Sequence, residues 1–350
     1  MTTSTANGTH SDFLCSHHIW TPQELSRRAE ELKIADYIID GLIPQQAISI
    51  AIGDSGLGKS PFQYQAGICV AAGVPFLGRK VQRGRVLYID YENGLAQVDG
   101  LVSRITSCLR LAKAPADFRI WNANDGNGTL DLAAVCREFK PTWVIIDPVS
   151  GMYPAIERDN PTAAAAFQMF RRLMAEHRCS ITITHHLRKP SEHPKSKREA
   201  LETAEWNTWF HQARGPSVLI NGSDVRLGVD RPSPCLNEDH LIVRGFERVN
   251  GDIPIIRICR VRDADGEPIG YRLLAGADQL TNPAHSAAYH TLPHAFSFSE
   301  AKAVYNKGDQ ATTDFLKKCI SAGILRKAKK GWYENVAATL ADTREQGEIQ

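Results

Sequence analysis

The sequence predicts an α/β fold, in which helices cover both faces of a mostly parallel sheet. Short apolar segments such as RVLYID, TWVIID and SITITH alternate with amphipathic segments between residues 46 and 185. These segments are nearly continuous apolar runs rich in Val and Ile, as expected for strands that are buried on both faces. Strands that alternate with helices are typical of βαβ units, whose strands pair in parallel.

The predicted elements of this core follow in a regular order. A helix precedes them and begins at Thr21-Pro22-Gln23-Glu24, which resembles a capping box. Strands are predicted at 46–52, 85–90, 118–122, 142–147 and 180–185, and helices at 59–72, 94–111, 130–139 and 162–177. Residues 187–213 are polar and charged, which predicts a long mobile loop. Runs at 224–229, 240–247, 253–261 and 269–274 are expected to extend the sheet in antiparallel fashion.

Composition divides the chain into five parts. Residues 1–20 are polar and are expected to be a disordered lead, followed by the core at 21–275. Small polar residues at 276–291 predict a linker. Residues 292–338 read as two helices, a strand, a basic turn and a second strand, which predicts a small winged-helix-like domain. Residues 339–350 form a polar tail.

Charge and cysteine usage exclude several classes of protein. The net charge of +2 is too small to indicate a nucleic-acid binder without local clustering of basic residues. The 8 cysteines are scattered and form no C-x-x-C pair, which is unlike a secreted disulfide scaffold. The N-terminus has no signal-peptide pattern, and no segment reaches the ~20 apolar residues of a membrane span. We therefore expect a cytoplasmic protein.

A glycine-rich loop between the first strand and its helix carries the strongest chemical signal. The motif G-x-x-x-x-G-K-[ST] consists of Gly53, Asp54, Ser55, Gly56, Leu57, Gly58, Lys59 and Ser60, with Pro61 in the first helical turn. Glycines let backbone N–H groups converge on phosphate oxygens, Lys59 reaches the β- and γ-phosphates, and the Ser60 hydroxyl ligates Mg²⁺. The sequence therefore predicts a P-loop ATPase that uses ATP and Mg²⁺.

Two carboxylates are candidates for the remaining chemistry. Asp147 ends an apolar strand, the place where P-loop enzymes hold Mg²⁺. Glu92 follows strand 85–90, which we expect to lie next to the phosphate-loop strand, and could polarise the attacking water. The alternative is that Glu92 only complements the N-terminal dipole of the next helix.

Histidine and arginine residues offer further candidates without a unique choice. His185 and His186 end the fifth strand and could sense the γ-phosphate by hydrogen bonding, or could be structural. An arginine from a neighbouring subunit could stabilise the transferring phosphoryl group. The candidates are Arg214, Arg226, Arg231, Arg260 and Arg262.

Several of these motifs occur in one order that resembles a known family. The order runs from GDSGLGKS and RVLYIDYENG through TWVIIDPVSGM and ITITHHLRKP to ARGPSVLING and RICRVRDADG. Over about residues 35–275 the chain is similar to the RecA-like ATPases of the plasmid RepA type, which are hexameric replicative helicases. The resemblance implies a RecA-like P-loop core and a homo-oligomeric, hexameric ring.

The resemblance also implies residue roles. Glu92 would be the catalytic base, Asp147 the Walker B aspartate and His186 the γ-phosphate sensor that couples hydrolysis to DNA. Arg214 would reach a neighbouring active site, and Arg260 and Arg262 would match a K-x-R pair that also serves in trans. The segments 150–160 and 187–212 would line a channel for single-stranded DNA.

The C-terminal segment adds a local cluster of basic residues. Residues 292–338 hold eight Lys or Arg against four Asp or Glu, a net of +4. Such a domain could hold duplex DNA through its phosphates, or could serve in protein contacts. The functional hypotheses are thus a helicase-type motor for a plasmid, phage or mobile element, an ATP-switched DNA-binding regulator, and a recombination or repair ATPase without unwinding activity.

Overall fold

The computed structural model describes residues 19–32, 37–126, 128–189, 199–233, 235, 237–274, 280, 282–322 and 324–335. Nearly all of the predicted lead at 1–20, the tail at 339–350 and residues 190–198 of the predicted loop lie outside the described residues. Among the helices that the structure describes, none is long and apolar enough to cross a membrane.

The core elements agree closely with the predicted bounds. Its strands are β1 (Tyr37–Ile39), β2 (Ile43–Pro44), β3 (Ile48–Gly53), β4 (Val86–Asp90), β5 (Phe118–Asn122), β6 (Trp143–Asp147), β7 (Ser180–His186), β8 (Val225–Asp230), β9 (His240–Glu247), β10 (Gly251–Arg262) and β11 (Pro268–Leu273). Its helices are α1 (Pro22–Leu32), α2 (Lys59–Ala72), α3 (Leu95–Cys108), α4 (Leu132–Phe139), α5 (Val149–Met152), α6 (Asn160–His177), α7 (Trp206–Phe210) and α8 (Val218–Asn221). Thr21 and Glu24 form the predicted capping box of α1.

Nine strands form one sheet in the order β11-β10-β9-β8-β3-β7-β6-β4-β5. The strands from β8 to β5 in this order pair in parallel, and β9, β10 and β11 pair in antiparallel fashion. The α/β prediction of a mostly parallel sheet with an antiparallel extension is therefore confirmed. The expectation for β8 was wrong, because β8 pairs with β3 in parallel.

The position of β4 also differs from the prediction. We expected β4 to lie next to the phosphate-loop strand β3, but β7 and β6 lie between them. Helical crossovers can carry the chain past intervening positions, so neighbours in sequence need not be neighbours in the sheet. This order brings the carboxyl ends of β3, β7, β6 and β4 to one edge.

Residues of the central strands alternate between two hydrophobic layers. In β6, Trp143 and Ile145 pack in one layer with α2 and α3, whereas Val144 and Ile146 pack in the other layer with α6. This is the period-two geometry of a strand, in which successive side chains point to opposite faces. Because both faces are covered, every residue of β6 is buried.

The segment 187–213 is partly structured, contrary to the prediction of a mobile loop. After the undescribed stretch, α7 packs Trp209 and Phe210 into the second hydrophobic layer, and Leu201 joins them with 0% exposure. The polar composition of the segment hid these few apolar residues, and the prediction was wrong for residues 199–213.

The C-terminal residues build a small unit with its own hydrophobic cluster. It contains α9 (Pro283–Thr291), β12 (Ala295–Ser297), α10 (Phe298–Tyr305), α11 (Asp309–Ser321), β13 (Leu325–Lys329) and β14 (Trp332–Asn335). The strands form an antiparallel sheet in the order β12-β14-β13. Ala288 and Tyr289 of α9 belong to this cluster, so the predicted linker at 276–291 was wrong over the length of α9. A small unit with an antiparallel sheet is compatible with the predicted winged-helix-like domain, which stays a prediction.

Candidate active site

The phosphate loop joins the buried end of β3 to the first turn of α2. Two of its glycines have positive φ, 75° at Gly56 and 99° at Gly58, a region that L-residues avoid. At Gly58 a Cβ atom would lie 2.0 Å from Oη of Tyr271. The Tyr271 hydroxyl donates a hydrogen bond to the Gly58 carbonyl at 2.9 Å. Glycine at position 58 thus satisfies both the backbone angle and the approach of Tyr271.

Lys59 lies at the centre of the loop. Its side chain is only 5% exposed, and Nζ donates to the carbonyls of Gly53 at 3.0 Å and Asp54 at 2.8 Å. The same Nζ lies 3.4 Å from Nδ1 of His186 at the end of β7. Burial lowers the pKa of Lys59, and the attraction of Asp147, Glu92 and Asp54 opposes that shift. A buried ammonium group held in this way is ready to bind an anion.

Asp147 lies at the carboxyl end of β6 and is 2% exposed. Its carboxylate accepts a hydrogen bond from Tyr88 Oη at 2.5 Å and another from the Thr184 hydroxyl. Tyr88 stands on β4 and Thr184 on β7, so both neighbouring strands hold this carboxylate. The sequence predicted the place of Asp147 correctly, but gave no indication of its two hydroxyl donors.

Glu92 follows β4 and has an exposed side chain on the same edge. Partial burial raises its pKa and the nearby charge of Asp147 raises it further, whereas Lys59 lowers it. The structure therefore places Glu92 within the electrostatic reach of both Lys59 and Asp147. A carboxylate with a raised pKa is a better proton acceptor, which suits a general base.

Asp90 is a buried carboxylate that the sequence reasoning missed. It pairs in register with Asp147 across β4 and β6, with 0% exposure. The sequence did contain a signal, because RVLYID ends in aspartate just as TWVIID does. Asp90 accepts hydrogen bonds from Tyr64 Oη and from the backbone N–H of Glu92.

A cleft of about 760 Å³ opens beside the phosphate loop. Its lining residues are Asp54, Ser55, His186, Leu187, Arg188, Lys189 and Arg214. Burial and then the charge of Lys59 lower the pKa of His186, which keeps its imidazole neutral near pH 7. Because Lys59 can only donate, its contact fixes His186 Nδ1 as an acceptor and leaves Nε2–H as a donor.

Arg214 lies on this cleft in its own chain. Its Nε is 2.8 Å from Oε2 of Glu157, and its backbone bonds both histidines at the end of β7. The carbonyl of Arg214 contacts His185 Nε2 at 2.6 Å, and its N–H donates to the His186 carbonyl at 3.0 Å. Arg214 thus joins the segment after β6 to the segment after β7.

The two arginines of β10 have different surroundings. Arg260 donates from Nη2 to the Leu57 carbonyl of its own phosphate loop at 2.6 Å. Arg262 donates from Nε and Nη2 to the two carboxylate oxygens of Asp239, at 2.8 and 2.6 Å. Arg260 therefore supports the loop of the same chain, and the role in trans that the resemblance implied stays a prediction.

The residues present fit a nucleoside triphosphate with a divalent ion. Lys59 provides the buried cation. Among the residues that the structure describes, no group of three or more His, Cys, Asp or Glu could hold a metal by itself. Mg²⁺ is typically bound through one or two carboxylates together with substrate phosphates, so Ser60 and Asp147 suit an ion that arrives with the nucleotide.

One family model matches the part of the chain that carries the phosphate loop. Residues 21–192 match the family model of the AAA domain. Among solved structures the chain is similar to the crystal structure of the RadB recombinase, with a TM-score of 0.41 and 12% identity, covering 62% of this chain and 88% of that chain. No match was found among curated proteins. The family match covers the phosphate loop, Glu92 and Asp147, and it supports a P-loop ATPase core in this chain.

Proposed function

We propose that the chain hydrolyses ATP as a DNA-associated motor of the RepA helicase type, in the replication of a plasmid, phage or mobile element. The observation that supports hydrolysis best is the convergence of Lys59, His186, Asp147 and Glu92 at one edge of the sheet. Lys59 Nζ lies 3.4 Å from Nδ1 of His186. The negative charges of Asp147 and Glu92 both act to raise the pKa of Lys59, against the effect of its burial. A cation, a neutral donor and a candidate base thus surround the place where the γ-phosphate would lie.

Each residue then has one task. The loop N–H groups and Lys59 bind the β- and γ-phosphates, and Ser60 and Asp147 would hold Mg²⁺, which supplies neutralisation of the phosphate charge. Glu92 orients the attacking water and accepts its proton. The Nε2–H of His186 donates to the γ-phosphate, so loss of that phosphate frees the end of β7.

The connection between nucleotide and DNA is proposed to pass through β7. Segment 187–212 continues directly from His186. Glu157 of segment 150–160 forms an ion pair with Arg214, two residues after the end of segment 187–212. These two segments would line the channel for single-stranded DNA in a hexameric ring. Arg188 and Lys189, which line the cleft, provide positive charge at the start of the second segment.

An ATPase assay with and without single-stranded DNA, beside a strand-displacement assay, tests the proposal. We expect single-stranded DNA to stimulate hydrolysis severalfold and the protein to displace an annealed strand when ATP is present. Hydrolysis that is indifferent to single-stranded DNA, without displacement, would contradict the motor.

Mixing of two inactive variants tests the homo-oligomer and the proposed roles of Arg214 and Arg262 in trans. A Lys59→Ala subunit lacks phosphate binding but keeps its arginines. An Arg262→Ala subunit keeps phosphate binding but lacks the arginine that would act on its neighbour. If Arg262 acts across an interface, the mixture regains turnover that neither variant shows alone. The same mixture with Arg214→Ala tests Arg214, and a mixture that stays inactive would assign Arg214 to the cleft of its own chain, which it lines.

The alternative is an ATP-switched DNA-binding regulator or a recombination or repair ATPase without unwinding activity. The basic C-terminal unit favours it, because Lys327, Lys329 and Lys330 are exposed on the β13–β14 hairpin. Lys329 lies 5.1 Å from the ring of Trp332, which is itself 43% exposed. Such a hairpin could contact the phosphates of duplex DNA.

Charge reversal tests this alternative more sharply than truncation at residue 292, since α9 belongs to the same hydrophobic cluster. The variant Lys329→Glu/Lys330→Glu should weaken duplex binding and reduce its salt dependence. Exposed lysines of the core provide the matched control, Lys80→Glu/Lys113→Glu. Equal duplex affinity of both variants would contradict a role of the hairpin in binding DNA.

A further inference from the structure

Asp90 is a buried charge that the hydrolytic roles above do not use. Its carboxylate is 0% exposed and accepts hydrogen bonds on both oxygens. Oδ1 accepts the backbone N–H of Glu92 at 2.9 Å and that of Asn93 at 2.8 Å. Oδ2 accepts Tyr64 Oη at 2.7 Å and Asn93 Nδ2 at 2.9 Å. A buried carboxylate is tolerated only when it is bonded in this way, so its surroundings are highly specified.

The bonds to Oδ1 determine the backbone on which Glu92 stands. Two consecutive N–H groups converge on one oxygen, which fixes the turn between β4 and α3. The far side of this turn is held as well, because the side chains of Asn122 and Asn124 each donate to the Asn93 carbonyl at 2.9 Å. The side chain of Glu92 is exposed, whereas the backbone that carries it is held from two sides.

The bond to Oδ2 connects that turn to the phosphate loop. Tyr64 lies on α2, little more than one turn after Lys59 and Ser60, and is fully buried. Its ring stacks on Tyr88 with the centroids 3.8 Å apart, and Tyr88 bonds Asp147. Burial raises the pKa of both tyrosines, so both hydroxyls remain protonated donors. A stacked tyrosine pair thus holds both aspartates of the sheet edge.

We propose that Asp90 is a positioning residue for Glu92, and that Tyr64 ties it to the phosphate-loop helix so that the base keeps its place relative to the bound phosphates. This inference rests on the proposed role of Glu92 as the base. Tyr64 and Asp90 do not touch the reacting atoms, so their contribution is geometric. A displacement of about 1 Å at a catalytic group can cost on the order of a hundredfold in rate.

Steady-state ATPase kinetics of the full chain with Tyr64→Phe and Asp90→Asn test the proposal. Tyr64→Phe removes only a hydroxyl and keeps the stacked ring, and we expect kcat to fall about tenfold while KM changes less than about twofold. Asp90→Asn keeps one oxygen that can accept the backbone N–H groups but loses the oxygen that accepts the Tyr64 hydroxyl. We expect kcat to fall at least as much as in Tyr64→Phe. Affinity for a non-hydrolysable ATP analogue should stay within twofold of the wild type. Tyr289→Phe is the matched control, because it removes a tyrosine hydroxyl bonded at 2.8 Å to Asn335 in the C-terminal unit.

Two further variants separate this inference from the function on which it rests. Wild-type turnover in Glu92→Gln would refute the assignment of Glu92 as the general base. If Glu92→Gln is inactive but Tyr64→Phe keeps the wild-type kcat, the positioning role of Tyr64 and Asp90 is overturned, whereas the role of Glu92 as the base is not. A rise in KM without a fall in kcat would also overturn it, since Tyr64 would then serve phosphate binding. In Glu92→Gln/Tyr64→Phe we expect no loss beyond that of Glu92→Gln, because groups that act as one unit are non-additive.

Discussion

The contact between Gly58 and Tyr271 allows a quantitative test of the phosphate loop. In Gly58→Ala the new Cβ would meet Oη of Tyr271 at 2.0 Å, while the residue keeps a φ of 99°. The positive φ costs an L-residue ~1–2 kcal/mol. Displacement of the hydroxyl removes its hydrogen bond to the Gly58 carbonyl, worth about 1 kcal/mol net. We therefore expect Gly58→Ala to lower the free energy of unfolding by about 2–3 kcal/mol and to weaken nucleotide binding.

A double-mutant cycle isolates the contact from the backbone strain. Tyr271→Phe alone should cost about 1 kcal/mol, because only the hydrogen bond is lost. In the double variant that bond is already gone, so the two changes should couple by about 1 kcal/mol, which exceeds the usual additivity error of about 0.3–0.5 kcal/mol. Urea unfolding measures the stabilities and titration with an ATP analogue measures binding. Additive losses, or a Gly58→Ala variant as stable as the wild type, would refute the geometry.

Three further predictions follow from the same edge of the sheet and from α7. Lys59→Ala should lower turnover at least about 100-fold because the charge facing the phosphates is removed, and unchanged turnover would refute the site. The folded-state pKa of Glu92 is raised, and Glu92 must be ionised to act as the base. We therefore expect kcat/KM to fall as the pH drops through the raised pKa, which lies above the usual range of glutamate. A fall of kcat/KM that occurs only at or below that usual range would contradict this prediction. Trp209→Ala should lower the free energy of unfolding by about 3 kcal/mol, as urea unfolding can measure, because Trp209 is 0% exposed; a mobile loop there would give almost no change.

The parts of the site that sequence predicted are those with a local signature. The phosphate loop, Asp147 and Glu92 each combine a residue type with a position at the end of a strand, and parallel strands bring such ends to one edge. The loop and its helix α2 agree with the predicted bounds to the residue. The roles assigned to these residues remain predictions, whereas their meeting at one edge is a property of the fold.

The parts that sequence missed depend on contacts between distant segments. Tyr64 and Tyr88 read as ordinary core aromatics, because nothing local reveals that each hydroxyl meets a carboxylate. Tyr271 is more than two hundred positions from Gly58 along the chain and reaches it only because β11 lies across α2. The order of β3, β7, β6 and β4 is likewise set by the packing of the crossover helices. The hydrophobic pattern within one β-strand does not encode this order.

The β10–β11 hairpin explains how the loop keeps its N–H groups available for phosphate. Arg260 binds the Leu57 carbonyl and Tyr271 binds the Gly58 carbonyl, so two consecutive carbonyls are held on the side of the hairpin. Since the N–H and C=O of a peptide unit point in opposite directions, this favours N–H groups that face the other side. An Arg260 that served a neighbouring subunit would have to release its own loop. A role in trans is therefore more compatible with Arg262, whose release breaks its pairing with Asp239 and its bond to the Gly266 carbonyl rather than a bond to the phosphate loop.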